Sequence, residues 1–243
     1  METLTQSAPQ PAPDDVLIDL AQVSVYFTVH KGLFASQTVK AVDGVTLRLQ
    51  RGETVAVVGE SGSGKTTLGR ASLGLVKPTA GQVRFDGQDI TQLTGARLKA
   101  YRRRAQAIFQ DPFATIDPYM TVYETVAEPL VIHGVGDALA RRARVERALL
   151  EVRLTPIDEM VERYPHQLSG GQRQRVGIAR ALVLQPDYVL ADEPVSMVDA
   201  SSRAELLYLL RDLRTQYGIT FLYITHDIAT ARHFANRIVV MYL

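Results

Sequence analysis

The chain has 243 residues, enough for one large domain or two small ones, and its 46% hydrophobic content is that of a globular protein with a real core. A formal net charge of +1 gives no global field for nucleic acid or an anionic membrane surface. The absence of cysteine excludes disulfides, zinc–thiolate sites and thiol catalysis within this stretch, and no run approaches the ~18 apolar residues of a membrane span.

Residues 1–15, METLTQSAPQPAPDD, carry prolines and almost nothing large and apolar, and read as a disordered tail. They have neither a basic nor an apolar signal-peptide region, so the expectation is a protein that is soluble, or peripheral to something that is not. Residues 16–29 partly alternate and are rich in β-branched and aromatic side chains, which predicts one or two strands. A turn-like excursion through Gly32 follows. Strand resumes over 39–49, with Asp43-Gly44 as a candidate turn.

Residues 54–68, TVAVVGESGSGKTTL, are the centre of the chain. A buried strand runs into Gly59, and Gly59-Glu60-Ser61-Gly62-Ser63-Gly64-Lys65-Thr66, followed by Thr67, has the P-loop spacing G-x-x-x-x-G-K-[ST]. The glycines let the backbone turn tightly enough to aim consecutive N–H groups at a phosphate. The helix that opens near Lys65 adds the positive end of its dipole. Lys65 is placed to reach the β- and γ-phosphates of ATP, and the Thr66 hydroxyl to hold Mg²⁺. An ordinary Gly/Ser connection would not present strand, loop, lysine, hydroxyl and helix in this order.

The P-loop helix is predicted to run to about residue 75, where Pro78 stops it. A β excursion over 81–87, a polar helix over 98–104 and a short strand over 105–109 ending at Gln110 follow. Composition then becomes helical between residues 112 and 167. Helices are expected over 122–133 and 138–152, the second capped by Asp137. A short one is expected with Thr155 as N-cap and Pro156 at its first position. From residue 168 the α/β rhythm returns with a helix over 171–184 and a strand over 188–191. A helix over 202–217 opens on a Ser202/Glu205 capping box and closes at Gly218. Strand 220–225, helix 228–234 and strand 237–242 end the chain.

The strand at 188–191 delivers two carboxylates, Asp192 and Glu193. Beside a P-loop, Asp192 can hold Mg²⁺ through water and Glu193 can polarise the water that attacks the γ-phosphate. Leu168-Ser169-Gly170-Gly171-Gln172 adds a hydroxyl, two glycines and an amide at the start of a helix, a second ready-made anion site. One ATP does not need two such sites in one chain, whereas two chains facing each other do.

P-loop, LSGGQ and the Asp-Glu pair, in this order, resemble the ATP-binding cassette (ABC) ATPases over roughly residues 16–243. The resemblance implies an α/β fold: a P-loop NTPase core with an antiparallel β subdomain and an inserted α-helical subdomain. Residues 16–111 and 168–243 would form the nucleotide-binding core and 112–167 the helical subdomain. It implies Glu193 as catalytic base, helped by Lys65, with His226 as the switch histidine that contacts the γ-phosphate. Gln110 would be the Q-loop glutamine, a Mg²⁺ ligand with Thr66 and Asp192 and a hinge into the helical insertion. Ser169, Gly170, Gly171 and Gln172, with the D-loop residues Ser196 and Asp199, would contact the ATP of the opposite subunit. Met197-Val198 replaces the usual Ala-Leu there, a modest departure. Phe27 or Tyr26 would stack on adenine, with core packing as the competing explanation for both.

A narrower resemblance rests on AVDGV (41–45), VGESGSGKTT (58–67), FQDPFATIDP (109–118), YPHQLSGGQRQRVGIARAL (164–182) and EPVSMVD (193–199), together with HKGLF (30–34). These are similar to the oligopeptide/dipeptide importer ATPases, whose relatives also import nickel and oligosaccharides, and most to their second, F-type, subunit. It implies a second ABC ATPase subunit, paralogue or identical copy, two transmembrane permease subunits and, indirectly, an extracytoplasmic solute-binding protein. The place implied is the cytoplasmic face of the plasma membrane. Such subunits usually continue beyond the final strand, so the chain reads as C-terminally truncated. A soluble ABC ATPase of DNA repair or translation is the alternative. It would be expected to carry a coiled-coil insertion or two cassettes, and neither is seen. A P-loop kinase would not need LSGGQ, and a non-catalytic subunit would not need Glu193. The basic clusters Arg102–Arg104 and Arg141/Arg142/Arg144/Arg147 read as solvated faces or partner contacts rather than a nucleic-acid groove.

Overall fold

A computed structural model describes residues 15–31 and 35–242. The tail expected over 1–15 therefore lies, except for Asp15, outside the described residues, as does the turn at Gly32. Two sheets carry the chain. Strands β1 (Val16–Lys31), β2 (Ala35–Gln50), β4 (Ala80–Phe85) and β5 (Gln88–Asp89) form an antiparallel sheet in the order β2-β1-β4-β5. Strands β3 (Thr54–Gly59), β6 (Ala105–Ile108), β7 (Tyr188–Asp192), β8 (Thr220–Thr225) and β9 (Arg237–Met241) form a parallel sheet in the order β6-β7-β8-β3-β9.

The central strands read as continuous apolar runs because both faces of the parallel sheet are covered. Every residue of β7 and β8 is buried. Alternate side chains enter two different cores. Ala56, Val58, Val189, Ala191, Phe221 and Tyr223 point to one side, under the helices that follow β6 and β7. Val55, Val57, Tyr188, Leu190, Leu222 and Ile224 point to the other, against helix α1 (Lys65–Ser72) and the antiparallel sheet. A polar seam crosses that second core. Tyr188 Oη lies 2.6 Å from Ser72 Oγ, whose own hydroxyl donates to Gly69 O, and Tyr101 Oη donates to Ser72 O.

Between β6 and β7 the chain is helical. After α2 (Gly95–Arg104), which precedes β6, come α3 (Pro112–Thr115), α4 (Val122–Ile132), α5 (Ala138–Glu151), α6 (Ile157–Met160) and α7 (Gly170–Leu182). Helix α4 opens on a reciprocal Thr121/Glu124 capping box and α5 on the Asp137 cap. Both pack on α7. Arg142 and Arg147 pair with Glu146 and Glu151 one turn on, and Arg104 with Asp86 and Asp187, so these arginines have carboxylate partners. Helices α8 (Ala200–Tyr217) and α9 (Ile228–Phe234) complete the fold.

Four local expectations are corrected. Asp43-Gly44 is no turn: β2 runs through it, and the register shift between Val23/Val45 and Val25/Val42 absorbs an extra residue as a bulge. Helix α1 stops at Ser72 rather than near residue 75. Thr155 does not cap α6, because Pro156 itself is extended (ψ 141°) and occupies the N-cap. Ser202 is not a cap either. Asp199, three residues earlier, accepts from the Ser202 N–H, and Glu205 pairs with Arg175 instead of closing a capping box.

Leu190 is fully buried between α1 and the sheet. Leu190→Ala is expected to cost ~2–5 kcal/mol in urea unfolding, whereas Leu139→Ala, at a side chain 81% exposed, should stay within about 0.5 kcal/mol.

Candidate active site

The parallel sheet decides which residues meet. Gln110 follows β6, Asp192 and Glu193 end β7, His226 follows β8 and Gly59 ends β3. These four strands are consecutive neighbours, so residues far apart in the chain emerge along one carboxyl edge, where open α/β sheets bind ligands.

The loop from β3 to α1 is clamped by backbone on both sides. A Cβ on Gly59 would stand 2.0 Å from the Met241 carbonyl oxygen, and a Cβ on Gly64 (φ 90°) 2.0 Å from that of Ala41. Neither position tolerates a side chain without moving a strand. Lys65 is buried, and its ammonium donates to Gly59 O at 2.8 Å and Glu60 O at 2.7 Å, with Ser63 Oγ at 3.4 Å. Its charge thus sits over the hollow of its own loop. Glu60, Ser61 and Gly62 are exposed at the loop crown, Ser63 is buried, and Thr67 is half-buried on α1.

Thr66 Oγ1 donates to Asp192 Oδ1 at 3.1 Å, joining the first turn of α1 to the end of β7. Asp192 is 6% exposed. Burial pushes its carboxyl above the ordinary range. Glu193 adds to this, while the Thr66 hydrogen bond and the charges of Arg70 and Lys65 pull it down. A buried carboxylate beside a hydroxyl fits a divalent cation, whose charge would offset that desolvation. Among the described residues no cluster of three or more His, Cys, Asp or Glu could hold a metal. A cation here would therefore need other oxygens, which suits Mg²⁺ held with substrate phosphates.

Glu193 is held from four directions. Its backbone is left-handed (φ 48°), uncommon for a side chain of this kind. Its N–H donates to Ile224 O at 2.9 Å. Gln110 Nε2 donates to Oε2 at 3.1 Å, and His226 Nδ1 lies 3.2 Å from Oε1. Ser196 Oγ donates to the Glu193 carbonyl at 3.0 Å, so the D-loop segment is bonded to the same residue. Asp199 caps α8.

Ser169 and Gln172 form a complete capping box at the start of α7: Gln172 N donates to Ser169 Oγ at 3.2 Å and Ser169 N to Gln172 Oε1 at 2.9 Å. Ser169 is exposed, and a Cβ on Gly170 would lie 3.9 Å from the Met197 carbonyl. Among the described residues, no hydrogen bond of residues 169–172 reaches the P-loop. The segment adjoins residues 196–199 on an outer surface, with Gly171 beside it.

The two aromatic candidates separate. Tyr26 pairs with Lys40 across the strands, donates its hydroxyl to Asp43 and lies under the Lys40 ammonium, 5.3 Å from the ring centroid. Phe27 pairs with Val39, and both are 43% exposed. Tyr26 is thus satisfied between the strands, while Phe27 presents an apolar face opposite Val39, which lies two residues before the bulge at Ala41 that presses on Gly64. Sequence reasoning missed Ala41, whose contribution is a carbonyl. It also missed Arg203 and Asp227, which line a cavity of ≈50 Å³ with Glu193 and His226.

Because its carboxyl is raised, Asp192 contributes stability fully present below the ordinary carboxylate value of about 3.9 and lost as pH rises through the raised value. Asp192→Asn should therefore leave the nucleotide-free melting temperature at pH 8 equal or higher, while abolishing the extra stabilisation given by ATP with Mg²⁺. A thermal-shift titration with and without Mg²⁺ checks both halves.

The ABC transporter family pattern matches residues 42–196. A putative peptide import ATP-binding protein of Brucella ovis is 50% identical over 208 residues, 86% of this chain, and the chain spans 65% of that relative's length. The oligopeptide transport ATP-binding proteins AppF of Bacillus subtilis and OppF of Salmonella typhimurium are each 45% identical, over 96% and 94% of this chain and 71% and 69% of theirs. Among solved structures, the dimeric post-hydrolysis state of the ATP-binding cassette MJ0796 bound to ADP and Pi superposes with a TM-score of 0.82 at 33% identity, covering 93% of this chain and 94% of that one. The cbiO1 cassette of Clostridium perfringens, part of an ABC transporter complex, gives 0.80 at 27% identity, covering 93% and 85%. The family pattern over residues 42–196 and the identity of these relatives show that the chain belongs to the ABC transporter family.

Proposed function

We propose that the chain is the ATP-binding and ATP-hydrolysing subunit of an importer for oligopeptides, dipeptides or a related small solute. The observation that carries the reading is the Glu193 carboxylate, fixed by Gln110 on one oxygen and His226 on the other, beside the Lys65 loop. A base must be held in reach of its proton, and here both oxygens are oriented before substrate arrives. Support for the transport role comes from the names of the Brucella, Bacillus and Salmonella relatives.

In this reading the backbone N–H groups of residues 59–66 receive the β- and γ-phosphates. Lys65 moves its ammonium from the Gly59 and Glu60 carbonyls onto them. Thr66, Asp192 and Gln110 would hold Mg²⁺, which would supply charge neutralisation at the transferring phosphoryl group. Glu193 takes the proton of the attacking water, and His226, released from Glu193, contacts the γ-phosphate. Phe27 stacks on adenine, with Tyr26 bracing the hairpin behind it.

Ser169, Gly170, Gly171 and Gln172, with Ser196 and Asp199, serve the ATP of a second subunit, a paralogue or another copy. The exposure of Ser169 and Asp199 and the bond from Ser196 to the Glu193 carbonyl support this. Residues 112–167 act as a helical subdomain inserted in the core of 16–111 and 168–243. Between it and the sheet runs a largely apolar groove of ≈520 Å³, lined by Ile108 and Phe109 just before Gln110 and by Pro129, Ile132 and Ala181 from the helices. We assign this groove to the permease. A segment seated there would touch both subdomains at the residue adjoining the Glu193 ligand. The subunit would then work at the cytoplasmic face of the membrane; no described helix is long and apolar enough to cross one.

Glu193→Gln keeps the side chain's shape and removes its basicity, so the chemical step should slow by roughly 10²–10⁴ while ATP binding survives. The variant should accumulate as an ATP-bound dimer, and adding Ser169→Arg should abolish that dimer without weakening ATP binding to the monomer. Sedimentation with ATP and Mg²⁺, alone and with the paralogous subunit, tests this. A Glu193→Gln chain that stays monomeric throughout, or a double variant that still dimerises, would refute the shared site.

A further inference from the structure

A second cavity opens beside Glu193 and His226. Its other walls are Val195 and Ser196 after β7, Arg203 from α8, Thr225 at the end of β8, and Asp227 and Thr230 around the start of α9. At ≈50 Å³ it has room for about three or four waters, the scale of one tetrahedral oxyanion. Arg203 is the feature that needs explaining. It is half-buried, its Nη2 reaches Val198 O only at 3.5 Å, and its Nε is buried with no hydrogen-bond partner. Among the described residues it makes no ion pair, whereas Arg104, Arg142, Arg175 and Arg180 each sit on a carboxylate. A partly buried guanidinium with an orphaned N–H is costly, and its planar fork is matched to a carboxylate or a phosphate.

We propose that this cavity is a transit site for the inorganic phosphate released by ATP cleavage, with Arg203 as its cationic ligand. This rests on the assignment of Glu193 and His226 to ATP hydrolysis. In the reaction the water oxygen bonds to the γ-phosphorus. The bond from that phosphorus to the β–γ bridging oxygen breaks with its electrons onto ADP, and the water's proton goes to Glu193. The phosphate formed beside Glu193 and His226 then shares a cavity with the Arg203 guanidinium, whose buried Nε has no other hydrogen-bond partner to give up.

The probe is inorganic phosphate itself, titrated by calorimetry into the full chain saturated with ADP and Mg²⁺. Arg203→Met is expected to weaken phosphate binding about tenfold or more, the loss of one charge-assisted contact, and Arg203→Lys to weaken it less. Both should bind ADP as the unaltered chain does. Thr230→Leu leaves Arg203 in place and fills the cavity from its opposite wall, so it should also lose phosphate and serves as the check if Arg203→Met misfolds. Under single-turnover conditions, free phosphate measured by a fluorescent sensor should lag acid-quenched cleavage by about tenfold in Arg203→Met and not in the unaltered chain. Equal phosphate affinity in all three variants and the unaltered chain, or cleavage and release slowing together, overturns the proposal. ATP cleavage without any phosphate binding sinks the transit site alone, whereas absence of cleavage in the unaltered chain sinks the hydrolytic assignment beneath it.

Discussion

The structure depends on burying a parallel sheet on both faces. Once β7 and β8 are sealed between two cores, polar chemistry can emerge only where those strands run out. The order β6-β7-β8-β3 then gathers Gln110, Asp192, Glu193, His226 and Gly59 along one edge with no contribution from their spacing in the chain. The cost of that burial is visible at the same edge. Asp192 is desolvated, Glu193 adopts a left-handed backbone, and Lys65 satisfies its ammonium on carbonyls of its own loop. Strain and desolvation at such positions are common where binding or catalysis needs them.

The site and the rest of the molecule are coupled through few, specific bonds. Thr66 to Asp192 joins the phosphate loop to the acidic strand. Gln110 to Glu193 joins that strand to the segment entering the helices, and Ser196 to the Glu193 carbonyl joins it to the residues beside the LSGGQ helix. A change at Glu193 therefore has direct neighbours on the groove side and on the outer surface. This makes the residue a structural junction as well as the proposed base.

What could be read from the sequence was what is encoded locally. The P-loop junction of strand and helix, the helix start at LSGGQ and the Asp137 cap each lie within a few consecutive residues, and the structure forms each where its residue types predict. Cap positions shifted where neighbours competed. Asp199 displaced Ser202 with a side-chain cap bond, and the extended Pro156 displaced Thr155 without one. Contacts between distant segments were illegible. Tyr26 and Phe27 differ only in which way they face across β2, and that depends on a bulge register no local rule supplies. Ala41 acts through a carbonyl that any residue would provide. Arg203 looks like one more arginine on an amphipathic helix until its cavity is seen.

The clamped glycines bear on engineering. Gly59 is pinned against β9 and Gly64 against β2, each by a carbonyl oxygen that cannot swing aside as a side chain would. The eight-residue motif is therefore not a portable cassette. Grafting its sequence onto another strand–helix junction would reproduce the glycines without the two flanking backbones that shape them. A workable transplant must carry one strand from each sheet along with the loop, so three segments far apart in the chain are inherited together.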